Sequence, residues 1–474
     1  VTLARPSRLP TIDQRVAVGV VFVTSVFMNI IDTTIVNVAL PAISRGFHIH
    51  IASSGAVSVG YLVSLAVSIP AGGWLGDRFG TKRVFMWSLA LFTVASVLCA
   101  LSGSLLELVT ARVLQGVGGG LLMPIATTML FRAYTPAERV AAARVLVLPT
   151  STAPALGPLL GGVLVDQLSW RWVFLVNIPV GLVALGFAAL FVREHVEPDP
   201  GRFDATGFVL AGAGLGMLMF ALSDGSARGW SSVPIVGGLV LGAAATVLLI
   251  VIELRRRQPL LRLRLLARPL FAQANAIVVL TLAAFSGLLY VGPLFLQQGL
   301  GLSAFQSGLT TFPEAIGLLI GSQIVSRAYP RLGPRRLVLA GCAGLTAVAW
   351  LLAAVAHGGA LWWFRLLMLL TGFSMISVQL PNQTVAFAQV TSRETGHASS
   401  LYNANRRFGA AIGVAALSSI LAADAAGTSG SLHAYRIAFV VTGAFALLAC
   451  LTALLGRKLA ASAAADTAVA VDLS

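Results

Sequence analysis

Three ionisable residues interrupt apolar runs that are each long enough to cross a bilayer. They are Asp32 in Ile31-Asp32-Thr33-Thr34-Ile35, Arg112 in Ala111-Arg112-Val113-Leu114-Gln115, and Glu314 in Phe312-Pro313-Glu314-Ala315. A charged side chain in hydrocarbon is costly and marks a functional position by default. A carboxyl group there can exchange a proton for a cation. Arg does not release its proton, so the expected role of Arg112 is to tune an acid. For Asp32 the alternative is a structural acid held by backbone groups or by an arginine. For Arg112 it is a side chain that snorkels outward. Glu314 reads as a second proton or cation site facing a cavity, or as a protonated, hydrogen-bonded acid beside the Pro313 kink.

The elements that position these groups follow from composition. Of 474 residues 57% are hydrophobic and only 10% charged, with mean hydropathy +0.89; soluble chains carry about 25% charge. Long apolar runs in place of weak alternation predict an all-α membrane protein and not a barrel. Fourteen segments are long enough to span, at about 20 residues each, with approximate limits 16–38, 53–75, 84–104, 106–131, 143–165, 172–192, 205–223, 232–252, 269–296, 305–326, 337–356, 360–388, 396–421 and 435–456. The first follows Arg5, Arg8 and Arg15 and is too long for a signal-peptide core. An even number puts both termini on one side. Of the 32 Lys and Arg, only Arg45, Arg171, Arg228 and Arg436 then fall in outer loops, and Arg112, Arg365, Arg406 and Arg407 within helices. The remainder lie on the side of the termini, which predicts cytoplasmic ends. Trp170, Trp172, Trp230, Trp362 and Trp363 fall at the expected outer interface. In this orientation Asp32 lies roughly 9 Å below the outer surface and Arg112 roughly 10 Å, at about 1.5 Å per residue. The shared depth predicts contact, direct or through water. Glu314 is expected roughly 13 Å deep on the same basis.

The net charge of +15 is spread as short gaps between apolar runs, so nucleic acid is not the expected partner. Cys99, Cys342 and Cys450 sit inside apolar runs without metal-ligand spacing and read as reduced packing residues. The histidines form no catalytic set and no HExxH or DxxD pattern occurs, so a membrane-embedded enzyme is not expected, and no metal or cofactor.

Between the second and third segments lies Gly73-Trp74-Leu75-Gly76-Asp77-Arg78-Phe79-Gly80-Thr81-Lys82-Arg83. Gly73 and Gly76 allow close helix approach, and Gly80 allows the positive φ of a tight turn. Asp77 at a helix C-terminus needs a cation or another helix's N-terminus. A weaker copy, Tyr329-Pro330-Arg331-Leu332-Gly333-Pro334-Arg335-Arg336, places Gly333 on Gly80 and Arg336 on Arg83, with Pro330 in place of the acid. The repeat predicts two six-helix halves around a midplane site. The expected division is 1–195 for the first half, 196–268 for a linker with two inserted helices and a basic loop, 269–456 for the second half and 457–474 for a cytoplasmic tail. The stretch from Glu253 to Arg268 carries six arginines between leucines and reads as an amphipathic surface helix or a plain basic loop.

The turn motif resembles the signature of the major facilitator superfamily. Pro154-Ala155-Leu156-Gly157-Pro158-Leu159-Leu160-Gly161-Gly162 resembles that family's antiporter signature, with Ala153 in place of a leading glycine. With fourteen segments, the Asp32 stretch and Trp170-Arg171-Trp172, the whole chain is similar to the fourteen-helix drug:proton antiporter branch. The resemblance implies export of hydrophobic, cationic or amphipathic drugs, driven by inward proton flow and with no cofactor. A specific lipid or secondary metabolite moved by the same mechanism is the alternative cargo. Proton coupling is expected at Asp32, Arg112 and Glu314. A gate is expected at Gly73, Asp77, Arg78, Gly80 and Arg83, with Asp77 latching near Arg335 and Arg336. Gly157, Pro158, Gly161 and Gly162 form the expected antiporter helix. Asp32, Tyr61, Gln115, Glu314, Gln379 and Asn382 are the expected substrate contacts. Ala56 stands where such relatives often carry Trp, which alters the cavity lining near Tyr61. Asn403, Asn405, Arg406 and Arg407 on the thirteenth segment line an inner gate or meet lipid headgroups. The expected setting is a bacterial-type inner membrane, the expected assembly a monomer, and the partners a small-molecule substrate, protons and the lipid bilayer.

Overall fold

In the computed structural model residues 12–49, 51–134, 156–157, 160–165, 167–197, 203–256, 261–302, 304–355, 361–391, 394–425 and 432–455 are described. Among them every regular element is a helix. In chain order these are α1 (Gln14–Gly46), α2 (Ile51–Phe79), α3 (Thr81–Leu101), α4 (Leu105–Ala133), α5 (Asn177–Phe191), α6 (Ala205–Arg228), α7 (Val233–Arg255), α8 (Pro269–Leu294), α9 (Ala304–Thr311), α10 (Pro313–Val355), α11 (Leu361–Ala386), α12 (Thr395–Ala425) and α13 (Leu432–Leu455). Local signals set several starts. Asp13, Ser104 and Asp204 accept hydrogen bonds from Arg15, Glu107 and Gly207 backbone N–H groups, and Glu107 reaches back to Gly103 N at 2.8 Å. Ser104 thus caps α4 from its own side chain, and Glu107 ties the preceding residue to the first turn.

Eleven stretches among the described residues are long and apolar enough to cross a membrane. One of them, Gln306–Val355, is 50 residues long, about 75 Å at 1.5 Å per residue and far beyond a hydrocarbon core of about 30 Å. It breaks at Gly333, where φ is 71°, and so crosses twice. α12 has the length of a crossing, but its asparagines and arginines lower its hydropathy. The described helices thus match every expected crossing but the fifth. Segment 143–165 lies largely outside the described residues, and its described part, 156–157 and 160–165, is helical. The chain is a multi-pass membrane protein.

Two sets of buried side chains form separate cores. One joins Val21, Met28, Tyr61, Phe85, Phe92 and Leu122 from α1 to α4. The other joins Ile277, Leu318, Val338, Met375, Ile376 and Ala449 from α8, α10, α11 and α13. A third cluster straddles them: Phe131 of α4 packs with Phe271, Ala386, Phe387, Leu401 and Tyr402. The Phe131 and Phe387 rings stack at 4.1 Å. The extra pair α6–α7 is not peripheral to both cores. α6 lies against α2 and α12 at once, and Trp230 Nε1, just after α6, donates to Ser419 Oγ of α12 at 2.8 Å. α7 turns Val236, Val240, Leu241, Val247 and Leu248 outward, as a lipid-facing helix should.

Two expectations change. Trp170 is not an interfacial belt residue but is buried, edge-on to Phe47 at 5.3 Å, because a tight approach at Gly46 gives its indole a slot; Trp172, Trp362 and Trp363 are exposed as a belt requires. The basic stretch before α8 forms a short 3-10 turn, Leu263–Ala267, with Leu265 buried.

Candidate functional site

Asp32 sits on α1 with no exposed surface, and three polar side chains from two other elements converge on it. Arg112 Nη1 of α4 lies 2.5 Å from Asp32 Oδ2. Gln115 Nε2, one turn along α4, donates to Asp32 Oδ1 at 2.9 Å, and Asn177 Nδ2, at the start of α5, donates to the same oxygen at 3.1 Å. Arg112 also donates to Gln115 Oε1 at 2.6 Å and to the Val57 carbonyl at 3.3 Å. Gln115 is held in turn by Ser96 Oγ of α3 at 2.7 Å. The guanidinium lies over the Tyr61 ring, 4.1 Å from its centroid. Tyr61 Oη donates to Asn29 Oδ1 at 3.0 Å.

The equal depth read from the sequence therefore becomes direct contact. Glycines make it possible. A methyl on Gly116 would overlap Ser64 and the Tyr61 carbonyl, one on Gly118 would lie 2.7 Å from the Ser88 carbonyl, and one on Gly120 would overlap the Leu65 carbonyl. α4 is thus pressed against α2 and α3, which delivers Arg112 and Gln115 to α1. On the other side of α1, a methyl on Gly157 would overlap Thr34 and one on Gly161 would lie 3.0 Å from Ile35. Both glycines bring their backbone against α1 within a turn of Asp32. Gly162 has open space around it, and Pro158 lies outside the described residues.

A buried charge pair is stable only when its remaining valences are met. Asp32 and Arg112 meet this condition, and removing one partner of such a pair costs about 3–5 kcal/mol. The arrangement can hold a carboxylate, and on protonation of that carboxylate it frees Arg112, Gln115 and Asn177 to re-pair. Asn29, Ser96 and Asn177 were not expected from the sequence. Asn177 in Val176-Asn177-Ile178-Pro179 is an amide in an apolar run, the one signal that marks it.

The Gly73–Arg83 turn closes one end of the bundle. Gly80 has φ 98°. The Glu194 carboxylate caps it, accepting from Lys82 N at 2.9 Å and Arg83 N at 3.1 Å. Asp77 is buried and pairs with Arg132 at the end of α4, 3.0 Å away. A methyl on Gly396, at the start of α12, would lie 3.0 Å from Asp77 Oδ2, and Gly73 N donates to Ser400 Oγ at 3.0 Å. Ser399 Oγ donates to the Pro124 carbonyl at 2.7 Å. The expected partners Arg335 and Arg336 are not there: Arg335 Nη2 donates to the Leu454 carbonyl at 3.3 Å. The start of α12 takes their place: its N–H groups and dipole favour an acid, and its buried His397 acts electrostatically on Asp77. Arg78 and Arg83 are exposed.

Glu314 is not brought to this cluster. It is buried at the start of α10, where Gly372 of α11 packs on its backbone carbonyl, and its Oε1 has no hydrogen-bond partner among the described residues. Asn382 Nδ2 donates to the Ala274 carbonyl at 2.9 Å while its Oδ1 is unpartnered. Gln379 is half-buried. Both amides belong to the second core and not to the Asp32 cluster. Cys99, Cys342 and Cys450 are free thiols.

Helical halves sealed at one end, with a charge pair enclosed in one of them, define a membrane transporter. A family model described as Major Facilitator Superfamily matches residues 22–414. The chain belongs to that superfamily, and it is a transporter and not an enzyme. It is 38% identical over 358 residues to the provisionally named multidrug resistance protein MdtD of Salmonella paratyphi B, covering 73% of each chain, and equally so to that of Salmonella heidelberg. Among solved structures it is similar to the human organic anion transporter MFSD10 (TM-score 0.67, 16% identity, 93% of this chain and 99% of that one). It is also similar to a bacterial homologue of the iron transporter ferroportin in an outward-facing state (TM-score 0.65, 14% identity, 94% and 99%). These structural likenesses carry the fold alone.

Proposed function

We propose that the protein is a proton-coupled exporter of hydrophobic, amphipathic compounds that works by alternating access, with Asp32 as the proton-exchanging group. The observation that carries this reading is the enclosed Asp32–Arg112–Gln115–Asn177 cluster, in which three side chains hold one carboxylate and are released when it is protonated. Arg112 keeps its charge throughout, so proton gain by Asp32 changes the net charge of the cluster by one. Such a change is large in a low-dielectric interior and can bias one packing of the halves over another. Glu314 serves as a second, weaker site. The multidrug label of the MdtD relatives supports the cargo class.

The distribution of Lys and Arg supports a cytoplasmic position for the Gly73–Arg83 end and for both termini, in a bacterial-type inner membrane. With that orientation the sealed end is the cytoplasmic gate and the arrangement is outward-facing, with Asp77 latched on the start of α12. Opening inward separates Asp77 from Gly396 and Gly73 from Ser400. One chain suffices for this cycle, so a monomer is the working unit.

The test is ethidium efflux from inside-loaded vesicles, for the wild type and Asp32→Asn, with and without a protonophore. Wild type is expected to export only while the proton gradient stands, and Asp32→Asn to lose gradient-driven export. Gradient-driven export that persists in Asp32→Asn removes Asp32 from the mechanism.

A further inference from the structure

Two guanidinium groups of the bundle are paired with no anion among the described residues. Arg406 and Arg407 lie on α12, and Arg406 is 11 residues from Thr395, about 16 Å along the helix at 1.5 Å per residue. Both are half-buried. Among the described residues neither forms an ion pair or a hydrogen bond. Arg407 bears electrostatically on Tyr61 of the opposite half and on Arg406, which repels it; Arg406 bears on Tyr402. Glu314 acts on neither. One turn below, towards the sealed end, Asn403 Nδ2 donates to Ser399 O at 2.9 Å and lies 3.5 Å from Thr127 Oγ1 of α4. Asn405 donates to Asn275 Oδ1 of α8 at 2.8 Å. The arginines therefore stand just above the closed end, between Tyr61, which covers Arg112, and the second core. Beside Arg406 lies the buried Tyr402 hydroxyl, next to the Asn382 amide.

The charge balance of this space is one-sided. Arg112 is neutralised by Asp32, and the two arginines of α12 are left over. Unpaired guanidinium groups inside a membrane protein line water-filled paths or await a counter-ion, and Arg is suited to carboxylate, sulfonate and phosphate groups because its donors form a planar fork. Lipid headgroups at the membrane surface do not account for the position of Arg407 against Tyr61.

We propose that Arg406 and Arg407 form a subsite for the anionic group of an amphipathic cargo, with the Tyr402 hydroxyl as a further donor. The transported class then includes organic anions, and zwitterions that carry their anionic end to α12. The proposal rests on the export reading only for the direction of movement; binding to the arginines is independent of proton coupling.

Fluorescein and rhodamine 6G share a ring system and differ in the sign of charge, which makes them the probes. Binding to purified protein is read by fluorescence anisotropy, and movement by uptake into inside-out vesicles under an imposed pH gradient. Wild type is expected to bind fluorescein. The double variant Arg406→Gln/Arg407→Gln should weaken that binding at least about tenfold, the equivalent of about 1.4 kcal/mol. Lys at either position should retain most of it, which a packing role would not. Arg365→Gln, which removes a cation stacked on Trp362 at 5.0 Å away from this space, should bind as wild type does. If the double variant does not fold, the Arg407→Gln and Arg407→Lys pair carries the same comparison. Equal fluorescein binding by wild type and the Gln variants overturns the proposal. So does a folded wild type that binds rhodamine 6G and not fluorescein or an anionic lipid. Replacing fluorescein by fluorescently tagged phosphatidylglycerol separates a free organic anion from a lipid headgroup: arginine-dependent binding of either supports the subsite and identifies its source. Arginine-dependent binding without gradient-driven movement retains the subsite and removes proton-coupled export. Gradient-driven rhodamine 6G movement without arginine-dependent anion binding does the reverse.

Discussion

The chain contains two copies of one turn, and they differ in what they hold. In the first, Gly80 turns the backbone at φ 98°; in the second, Gly333 does so at φ 71°. Both angles belong to the region that glycine occupies without strain, so the sequence register of Gly333 on Gly80 is a register of backbone shape. The electrostatics are not repeated. Asp77 faces the start of α12, across the boundary between the halves, and Glu194 caps the first turn. The second turn has Pro330 at the position of the acid, its Arg335 bonds within its own half, and among the described residues no carboxylate caps it. Turn geometry and inter-half contact are thus separate properties. The first is set by one glycine and the second by one carboxylate opposite a helix N-terminus.

The largest effect is expected from the glycines. Gly80→Ala places a side chain at φ 98°, which costs about 1–3 kcal/mol, and the new methyl would overlap the Glu194 carboxylate, displacing a cap that serves two N–H groups. Gly333→Ala carries the same backbone strain, about 1–3 kcal/mol, at a turn that no carboxylate caps among the described residues. Melting temperatures of the two purified variants should both fall, and that of Gly80→Ala further. An equal fall would mean that Glu194 contributes nothing to the first turn.

Asp77→Asn comes next. It removes the charge that Arg132 and the α12 N-terminus share but keeps the shape. A favourable partly buried charge–helix interaction is worth up to about 2 kcal/mol, so the equilibrium between the sealed and open arrangements of this end should shift by up to about thirtyfold. Transport is expected to slow while substrate binding persists. Cross-linking of cysteines placed at Thr127 and Asn403, whose side chains lie 3.5 Å apart between α4 and α12, would read the shift directly. Unchanged cross-linking would mean that the aromatic stack of Phe131 on Phe387 holds the end closed without Asp77.

The same contrast explains what the sequence made legible. Helix number, the acid on α1 and the arginine on α4 could be read because apolar runs and charges count along one dimension. The contact of Asp32 with Arg112 was implied by depth, but azimuth is a packing property, set here by Gly116, Gly118 and Gly120. Asn177 could not be distinguished from any other amide near a helix start. The latch partner was misplaced for a related reason. Arg335 and Arg336 carry formal charge and are visible in a sequence, whereas the α12 start attracts an acid through backbone groups that no residue type marks and through His397, one histidine among six. Arg406 and Arg407 were visible, but their lack of partners is a fact of three dimensions.

The smallest effect tests the other side of the same helix end. Glu394, just before α12, forms a two-pronged pair with Arg268, with Arg268 Nη2 2.7 Å from Oε1 and Nη1 2.9 Å from Oε2. This tie stays within the second half, whereas Asp77 reaches α12 from the first. Partial burial works to raise the Glu394 carboxyl, but Arg268 and Thr391 outweigh it and hold it below the usual carboxylate range. A group whose folded value is lowered stabilises the fold above its unfolded value, about 4.3 for Glu, and loses that contribution as pH falls through the lowered folded value. Its side chain faces water on one side, so the contribution is screened to about 0.2–1 kcal/mol. Glu394→Gln should therefore lower the melting temperature slightly at pH 7 and flatten its decline below about pH 4.3. It should also leave the 127–403 cross-link unchanged, where Asp77→Asn alters it. A Glu394→Gln variant that opens the cross-link as far as Asp77→Asn does would show that the α12 start moves as one piece with Arg268, and that the latch is divided between the two halves.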